Sequence, residues 1–183
     1  TDITISAGST TGTVNFTPTD DSVYEGNETA IIAISSVSGA DASESGSQSV
    51  TITITENESA PTITLARSAA SIDENSGSTI TLTATISGVT DSAVTVALDT
   101  SGTATEGTDY GTVADITISA GDTTGTATFT PTDDSVYEGN ETATITMASI
   151  TGANAGSTTS QTITITENDS TPVVTLATSA TSI

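Results

Sequence analysis

Histidine, lysine, cysteine and tryptophan are all absent from this chain of 183 residues, and its one basic residue is Arg67. Each absence closes a class of chemistry. Without histidine there is no imidazole base and no imidazole ligand. Without lysine there is neither Schiff-base catalysis nor a lysine isopeptide crosslink. Without cysteine there are no disulfides and no thiolate metal site. Ser and Asp abound, but no base exists to activate a Ser nucleophile. One base against 23 acids gives a net charge of -22, which argues against nucleic acid or an anionic membrane as partner, since phosphate recognition needs Lys and Arg. No apolar run reaches the length of a membrane span, so no membrane insertion is expected. With only three Tyr and two Phe, the paired acids are poorly furnished for a sugar-cleaving cleft, and no enzymatic activity is expected.

What is present is alternation and repetition. The apolar share, 33%, is low enough to suggest disorder from composition alone. Strict alternation of Ile, Val, Leu and Ala with Thr and Ser argues instead for half-buried strands. Asp2–Gly8 returns as Asp115–Gly121, offset by 113, and Thr51–Asn57 returns as Thr162–Asn168, offset by 111. The two-residue slip falls in the loop Ser38–Ser49, which matches Thr151–Ser160. Pro61 matches Pro172. The phase divides the chain into residues 1–60, the back part of one repeat, residues 61–171, a complete repeat, and residues 172–183, the opening strand of a further repeat. The chain thus reads as a window on a longer tandem array.

Within the complete repeat, seven strands are predicted at 62–67, 78–87, 93–99, 115–119, 125–130, 142–149 and 162–166. Their inward residues are Ile63, Leu65, Ile80, Leu82, Ala84, Ile86, Val94, Val96, Leu98, Ile116, Ile118, Ala127, Phe129, Ala143, Ile145, Met147, Ile163 and Ile165. Thr at the outward positions suits the pleat while its hydroxyl meets water. Seven strands in about 110 residues predict an all-β, antiparallel β-sandwich with up-and-down connections. Tyr137 is expected to cap one end of it.

The most informative stretch is Phe-Thr-Pro-Thr-Asp-Asp-Ser-Val-Tyr-Glu-Gly-Asn-Glu-Thr-Ala, found identically at 16–30 and 129–143. Each copy puts four carboxylates into a short turn (Asp20, Asp21, Glu25, Glu28; Asp133, Asp134, Glu138, Glu141). Like charges about 4 Å apart repel by about 4 kcal/mol at an effective dielectric near 20. Such a cluster splays into water as a solvated rim, takes up protons, or holds a cation. Further acids lie at other strand ends: Asp73-Glu74, Asp109 and Glu167-Asn168-Asp169. A pole where these converge offers hard oxygens from separate loops, which suits calcium. Zinc prefers nitrogen and sulfur, and magnesium a smaller octahedral shell.

The order Gly-Thr-Ala-Thr-Glu-Gly-Thr-Asp-Tyr (102–110), then a hairpin with Ile-Ser-Ala-Gly, then Asp-Asp-Ser-Val-Tyr-Glu-Gly-Asn-Glu-Thr, then Ile-Thr-Ile-Thr-Glu-Asn-Asp, resembles the Calx-beta domain. That family includes calcium-sensing segments of sodium/calcium exchangers and tandem repeats of large bacterial surface proteins. The resemblance implies an immunoglobulin-like sandwich with calcium at one pole. Carried over by position, the ligands it implies are Glu74, Asp109, Asp133, Asp134, Glu138, Glu167 and Asp169, and in the front fragment Asp20, Asp21, Glu25, Glu56 and Glu58. Calcium-sensing members close on a run of aspartates; here the run is Glu167-Asn168-Asp169 or Glu56-Asn57-Glu58, one negative charge fewer. Binding on the order of 10⁻⁴ M or weaker is therefore expected.

The functional expectation is a structural calcium-binding repeat of a secreted or cell-surface protein, forming a stalk, spacer or filament shaft. Its partners would be neighbouring repeats, with calcium stiffening the hinges near Ser59–Pro61 and Ser170–Pro172. The alternative is an adhesin repeat that binds a glycan or protein through its loops or Thr-rich face. Near-identical repeats suit bulk construction better than graded sensing.

Overall fold

The structure, a computed structural model, describes residues 2–39 and 41–180, which form two compact units: one within residues 1–58, the other within 59–183. Among the described residues there are strands and no helices.

Among its described residues the second unit holds nine strands: β3 (Thr62–Arg67), β4 (Ser71–Asp73), β5 (Ile80–Ile86), β6 (Val94–Gly102), β7 (Ile116–Ile118), β8 (Thr124–Phe129), β9 (Glu141–Thr151), β10 (Asn154–Ala155) and β11 (Ser160–Thr166). They form two sheets, in the orders β10-β3-β5-β8 and β4-β11-β9-β6-β7. The inner faces carry the alternating apolar residues, and Ile63, Leu82, Val94, Val96, Ile116, Ile118, Phe129, Ala143, Ile145 and Ile163 are wholly buried there. Every inward residue named from the sequence lies in this core except Leu98, which packs at its margin. Leu98 follows a register shift in the β6–β9 ladder, and such a bulge re-aims the side chains beyond it. The fold is a β-sandwich, as the alternation requires.

Two features depart from the expected up-and-down antiparallel plan. The opening strand is split. β3 pairs with β5 in one sheet, and the chain then crosses over so that β4 runs parallel to β11 in the other. In addition, β10 runs parallel to β3. Both pairings lie at sheet edges, where strands too short to show a period-2 pattern escape detection from sequence. The β10 pairing pins the divergent loop to the sheet, with Leu65 N donating to Thr158 O and Gly156 N to Ile63 O. Tyr137, expected to cap the sandwich, is 42% exposed and not part of the buried core. Tyr110 takes the buried position instead, its ring 4.7 Å from that of Phe129.

The first unit contains one two-stranded sheet, β1 (Glu28–Ala33) paired antiparallel to β2 (Ser49–Ile54). Its sequence matches β9 and β11, but the segments matching β7 and β8 form no strand. Residues 172–180, matched to the opening strand, likewise form none, and residues 181–183 of that predicted strand lie outside the described residues. Val173, Val174 and Leu176 are almost fully exposed.

Candidate metal centre

One end of the second unit gathers five loops or strand ends. β4 ends at Asp73 and delivers Glu74. The loop after β6 delivers Asp109. The repeated turn between β8 and β9 delivers Asp133, Asp134 and Glu138, and β9 begins at Glu141. β11 ends at Thr166 and delivers Glu167 and Asp169. Parallel pairing of β4 with β11, Asp73 opposite Thr166, sets Glu74 beside Glu167. On the other side, Gly102 lies opposite Ala143 with φ 135°, and a Cβ there would strike the Thr142 carbonyl oxygen. Glycine thus lets the loop bearing Asp109 lie close to the start of β9.

The repeated turn is held by Glu167. Its Oε2 accepts from Glu138 N at 2.6 Å and Gly139 N at 2.8 Å, and its Oε1 from Asn168 N at 2.9 Å and Asp169 N at 2.8 Å. Glu167 N in turn donates to Asn140 Oδ1. The backbone donors, that of Asp169 foremost and Glu138 next, hold the Glu167 carboxyl down at about 2, so it stays charged. Asp134 closes the turn locally, its Oδ1 accepting from Val136 N, and its own N–H reaches Glu74 Oε1 at 3.3 Å. Asp109 Oδ2 accepts from Thr105 N, which fixes its loop.

Inside this frame the carboxylates crowd. Oxygens of Asp109, Glu138 and Glu141 all lie within 4.8 Å of one another. Burial first, and the Asp109 charge next, push the Glu141 carboxyl up to about 7. Glu138 is also raised, by desolvation and then by Asp109. Glu74 is buried and raised chiefly by that burial, with Glu167, Asp134 and Asp169 adding repulsion. Asp169 is raised by desolvation and by Glu167, Asp133 and Asp134. Among the described residues, Asp169 Oδ2 is the one buried side-chain oxygen with no hydrogen-bond partner. A desolvated carboxylate oxygen with no donor is costly unless a cation or proton meets it.

The donor set fits calcium. Every side chain is a carboxylate, and two oxygens sharing an ion at about 2.3–2.6 Å stand at most about 5 Å apart, which the 4.8 Å spread satisfies. Of the sequence-derived set, Asp109 and Glu138 come together, with Glu141 joining them, while Glu74, Asp134 and Asp169 repel one another electrostatically nearby. Asp133 sits at the rim, accepting from Asn168 Nδ2 at 3.4 Å. Glu167 serves as the clasp of the turn. The sequence places Glu141 in the acidic turn but outside the ligands that the family resemblance implies. Its position as the first residue of β9, on the side facing Asp109, depends on the cross-strand register.

The first unit repeats the clasp. Glu56 Oε2 accepts from Glu25 N and Gly26 N, each at 2.6 Å, Glu56 N donates to Asn27 Oδ1, and Asn57 Nδ2 to Asp20 Oδ1. Backbone donors, that of Glu58 foremost, bring Glu56 down to about 2, and its hydrogen bond to Glu58 raises the latter. Asp20, Asp21, Glu25, Glu28, Glu56 and Glu58 line a recess of about 30 Å³. Positions matching Glu74 and Asp109 do not exist in this unit.

The family model of the Calx-beta domain matches residues 1–58 and again 56–169. A solved structure described as the apo form of the Calx CBD1 domain is 22% identical, with a TM-score of 0.50, over 59% of this chain and 99% of that one. A second, CBD12 from CALX1.2, is 22% identical with a TM-score of 0.48, over 54% of this chain and 42% of that one. Among curated protein sequences no relative matches. The acidic turn, the closing Glu-Asn clasp and the sandwich beneath them are accordingly read together: this chain belongs to the Calx-beta domain family.

Proposed function

We propose that the chain is a calcium-binding structural segment of a tandem Calx-beta array in a secreted or cell-surface protein, where it serves as stalk, spacer or shaft. Two observations carry the calcium reading: Asp109, Glu138 and Glu141 bring carboxylate oxygens within 4.8 Å of one another, and the buried Asp169 Oδ2, in the field of Glu167, Asp133 and Asp134, has no hydrogen-bond partner. Calcium would supply the positive charge that the chain itself lacks, there being one base in 183 residues. Glu74, Asp109, Asp134, Glu138, Glu141 and Asp169 would hold it. Glu167 and Asn140 keep the turn in place whether or not the ion is bound.

The mechanical role follows from where the ligands lie in sequence. Asp169 belongs to the loop that leads out of the complete repeat, and Glu58 holds the matching place in the front fragment. An ion that ties this loop to Glu74 and the 133–138 turn restricts the segment through which the chain passes to its next repeat. The crowded carboxylates have no imidazole, amine or thiol beside them, and the role proposed for them is cation binding. A glycan- or protein-binding alternative would use the divergent loops or the Thr-rich face; in the second unit, Asn154 and Ala155 of that loop pair with β3.

The test is calorimetric titration of calcium together with small-angle scattering in calcium and in chelator. Saturable binding and a longer, stiffer particle in calcium are expected. Absence of binding at millimolar calcium would refute the calcium reading, and binding without any change in dimensions would refute the mechanical one.

A further inference from the structure

The chain has no cysteine and no lysine, so neither a disulfide nor a lysine isopeptide crosslink braces a repeat against tension. A load carried through the repeat falls on hydrogen bonds and packing. In the second unit the entering segment, 61–74, runs beside the leaving segment, 154–166, in parallel from one end of the sandwich to the other. Asn154 N donates to Pro61 O and Gly156 N to Ile63 O, each at 2.8 Å, and Leu65 N donates to Thr158 O at 2.9 Å. Gln161 Nε2 donates to Leu65 O at 2.7 Å. After the crossover, Thr164 N donates to Ala70 O and Glu74 N to Thr166 O, each at 3.0 Å, with Ile72 opposite Ile165 between them.

The two segments leave this seam at opposite ends. Ile63 lies opposite Ile86, the last residue of β5, while Ile80, the first, lies opposite Phe129, which leads into the acidic turn. Pro61 therefore enters at the end away from the acidic centre, and Asp169 leaves at the end that holds it. Tension between these two points draws the segments past one another along the strand axis, so every bond of the seam is loaded together, in shear. An antiparallel pair gripped at one end behaves differently. β3 and β5 would open from the rung of Ile63 and Ile86 onward, one rung at a time. The seam also spans both sheets, through β10 and β3 in one and β4 and β11 in the other, so slippage must break both.

We infer that the parallel seam of 61–74 with 154–166 is a tension-bearing clamp, and that the second unit resists force along its length far better than force across it. Gly156 sets how closely the seam fits. A Cβ there would stand 2.6 Å from Ile63 O and 2.9 Å from Thr64 Cγ2, so only glycine lets the leaving segment lie against β3. Each net hydrogen bond carries roughly fivefold in a rate, so loading three more at once lengthens the lifetime under force on the order of 100-fold. That the clamp meets tension in the whole protein rests on the stalk reading above; the clamp itself rests on the hydrogen bonds and their direction.

The experiment is single-molecule force spectroscopy at constant force, in chelator, on the full chain, which has no native cysteine to compete with introduced handles. Ser59→Cys with Ser170→Cys, both exposed, pulls along the seam. Ser59→Cys with Gly88→Cys pulls β3 from β5 at one end, and a Cβ at Gly88 meets nothing within 4 Å. At equal force the second unit should last on the order of 100-fold longer in the first geometry. Gly156→Val should cut that ratio about tenfold or more, whereas a loss of stability alone shortens both lifetimes and leaves the ratio. Gln161→Leu, a milder change that removes one bond, should cut it about fivefold. Equal lifetimes in the two directions would overturn the inference, as would a ratio that neither variant lowers. A ratio that appears only when calcium is added would overturn it too, because the cation centre would then carry the load. A ratio that holds in chelator sustains the clamp even if calcium binding or the scattering change fails, so the clamp and the calcium stalk stand or fall separately.

Discussion

Replacing Glu141 by Gln removes one charge from the tightest part of the centre while keeping the shape of the side chain. Two opposing consequences follow. Like charges 4.8 Å apart repel by about 3.5 kcal/mol at an effective dielectric near 20. Exposure of Glu138 and partial exposure of Asp109 and Glu141 screen that repulsion, and relief on removing the charge comes to about 1–2 kcal/mol. Without calcium, E141Q should therefore melt about 3–8 °C higher than the parent. With calcium the same residue is a ligand. A parent dissociation constant on the order of 10⁻⁴ M makes 10 mM calcium worth about 2.7 kcal/mol, and a tenfold weaker variant gains about 1.4 kcal/mol. The calcium-induced rise in melting temperature should fall to about half.

The pH dependence separates this account from a packing effect. The Glu141 carboxyl sits at about 7 in the fold, above its ordinary value of 4.5. A raised carboxylate disfavours the fold wherever it must be charged, so the penalty is present above about 7 and is relieved as pH falls from there toward 4.5. The calcium-free parent should gain stability from pH 8 to pH 5, and E141Q should gain less, keeping only what the raised Glu74, Glu138 and Asp169 contribute. Calcium affinity of the parent should fall across the same window, because proton and ion compete for one carboxylate. Differential scanning calorimetry at several pH values, with calcium or chelator, measures all of this. Should E141Q be less stable than the parent in chelator at pH 8, or respond to calcium as fully as the parent, the assignment of Glu141 to the centre is wrong.

Two further substitutions test the surrounding frame. Glu167→Gln should destabilise the second unit near neutral pH, and the difference from the parent should vanish as pH falls from about 4.5 toward 2, because the lowered Glu167 carboxyl contributes only while charged; denaturant titrations at pH 7 and pH 3 check it. Phe129→Ala should cost about 3–5 kcal/mol, while Phe16→Ala should change stability by less than about 0.5 kcal/mol, although fifteen residues around each are identical; chemical denaturation of the two variants gives the comparison.

Much of this was readable in the sequence because strands buried on one face advertise themselves. Ile80, Leu82, Ala84 and Ile86 alternate with Thr, and no other periodicity fits. The acidic turn and the acids that follow β4 and β11, Glu74 and Asp169, are readable because they border alternating strands. β4 and β10 were not legible: three residues and two residues carry no period, and their parallel pairing depends on tertiary position alone. The bulge that leaves Leu98 at the margin of the core is likewise set by its partner strand. The choice between Tyr110 and Tyr137 turned on which ring could reach Phe129, a distance that no local pattern encodes. The roles of Glu141 and Glu167 were hidden for a related reason. A ligand and a clasp are both carboxylates in an acidic turn, and only the backbone donors around Glu167 distinguish them.

The two copies of the acidic turn separate what the turn does alone from what it does in company. In both, the closing Glu binds the backbone of the turn, and the Asn of the turn accepts from the N–H of that Glu: Glu167 with Asn140, Glu56 with Asn27. In the first unit this happens without β3 to β6 equivalents beneath it. The clasp is therefore a property of the back half-repeat, carried by partners about thirty residues apart that travel together. Carboxylates held in place before an ion arrives lose little freedom when it does, and much of the ordering penalty of binding is already met by folding. The front half-repeat then adds burial and two more carboxylates, Glu74 and Asp109. Burial is the step that raises Glu74 and Glu141. The back half thus sets the shape of the centre, and the front half sets how strongly it calls for a cation.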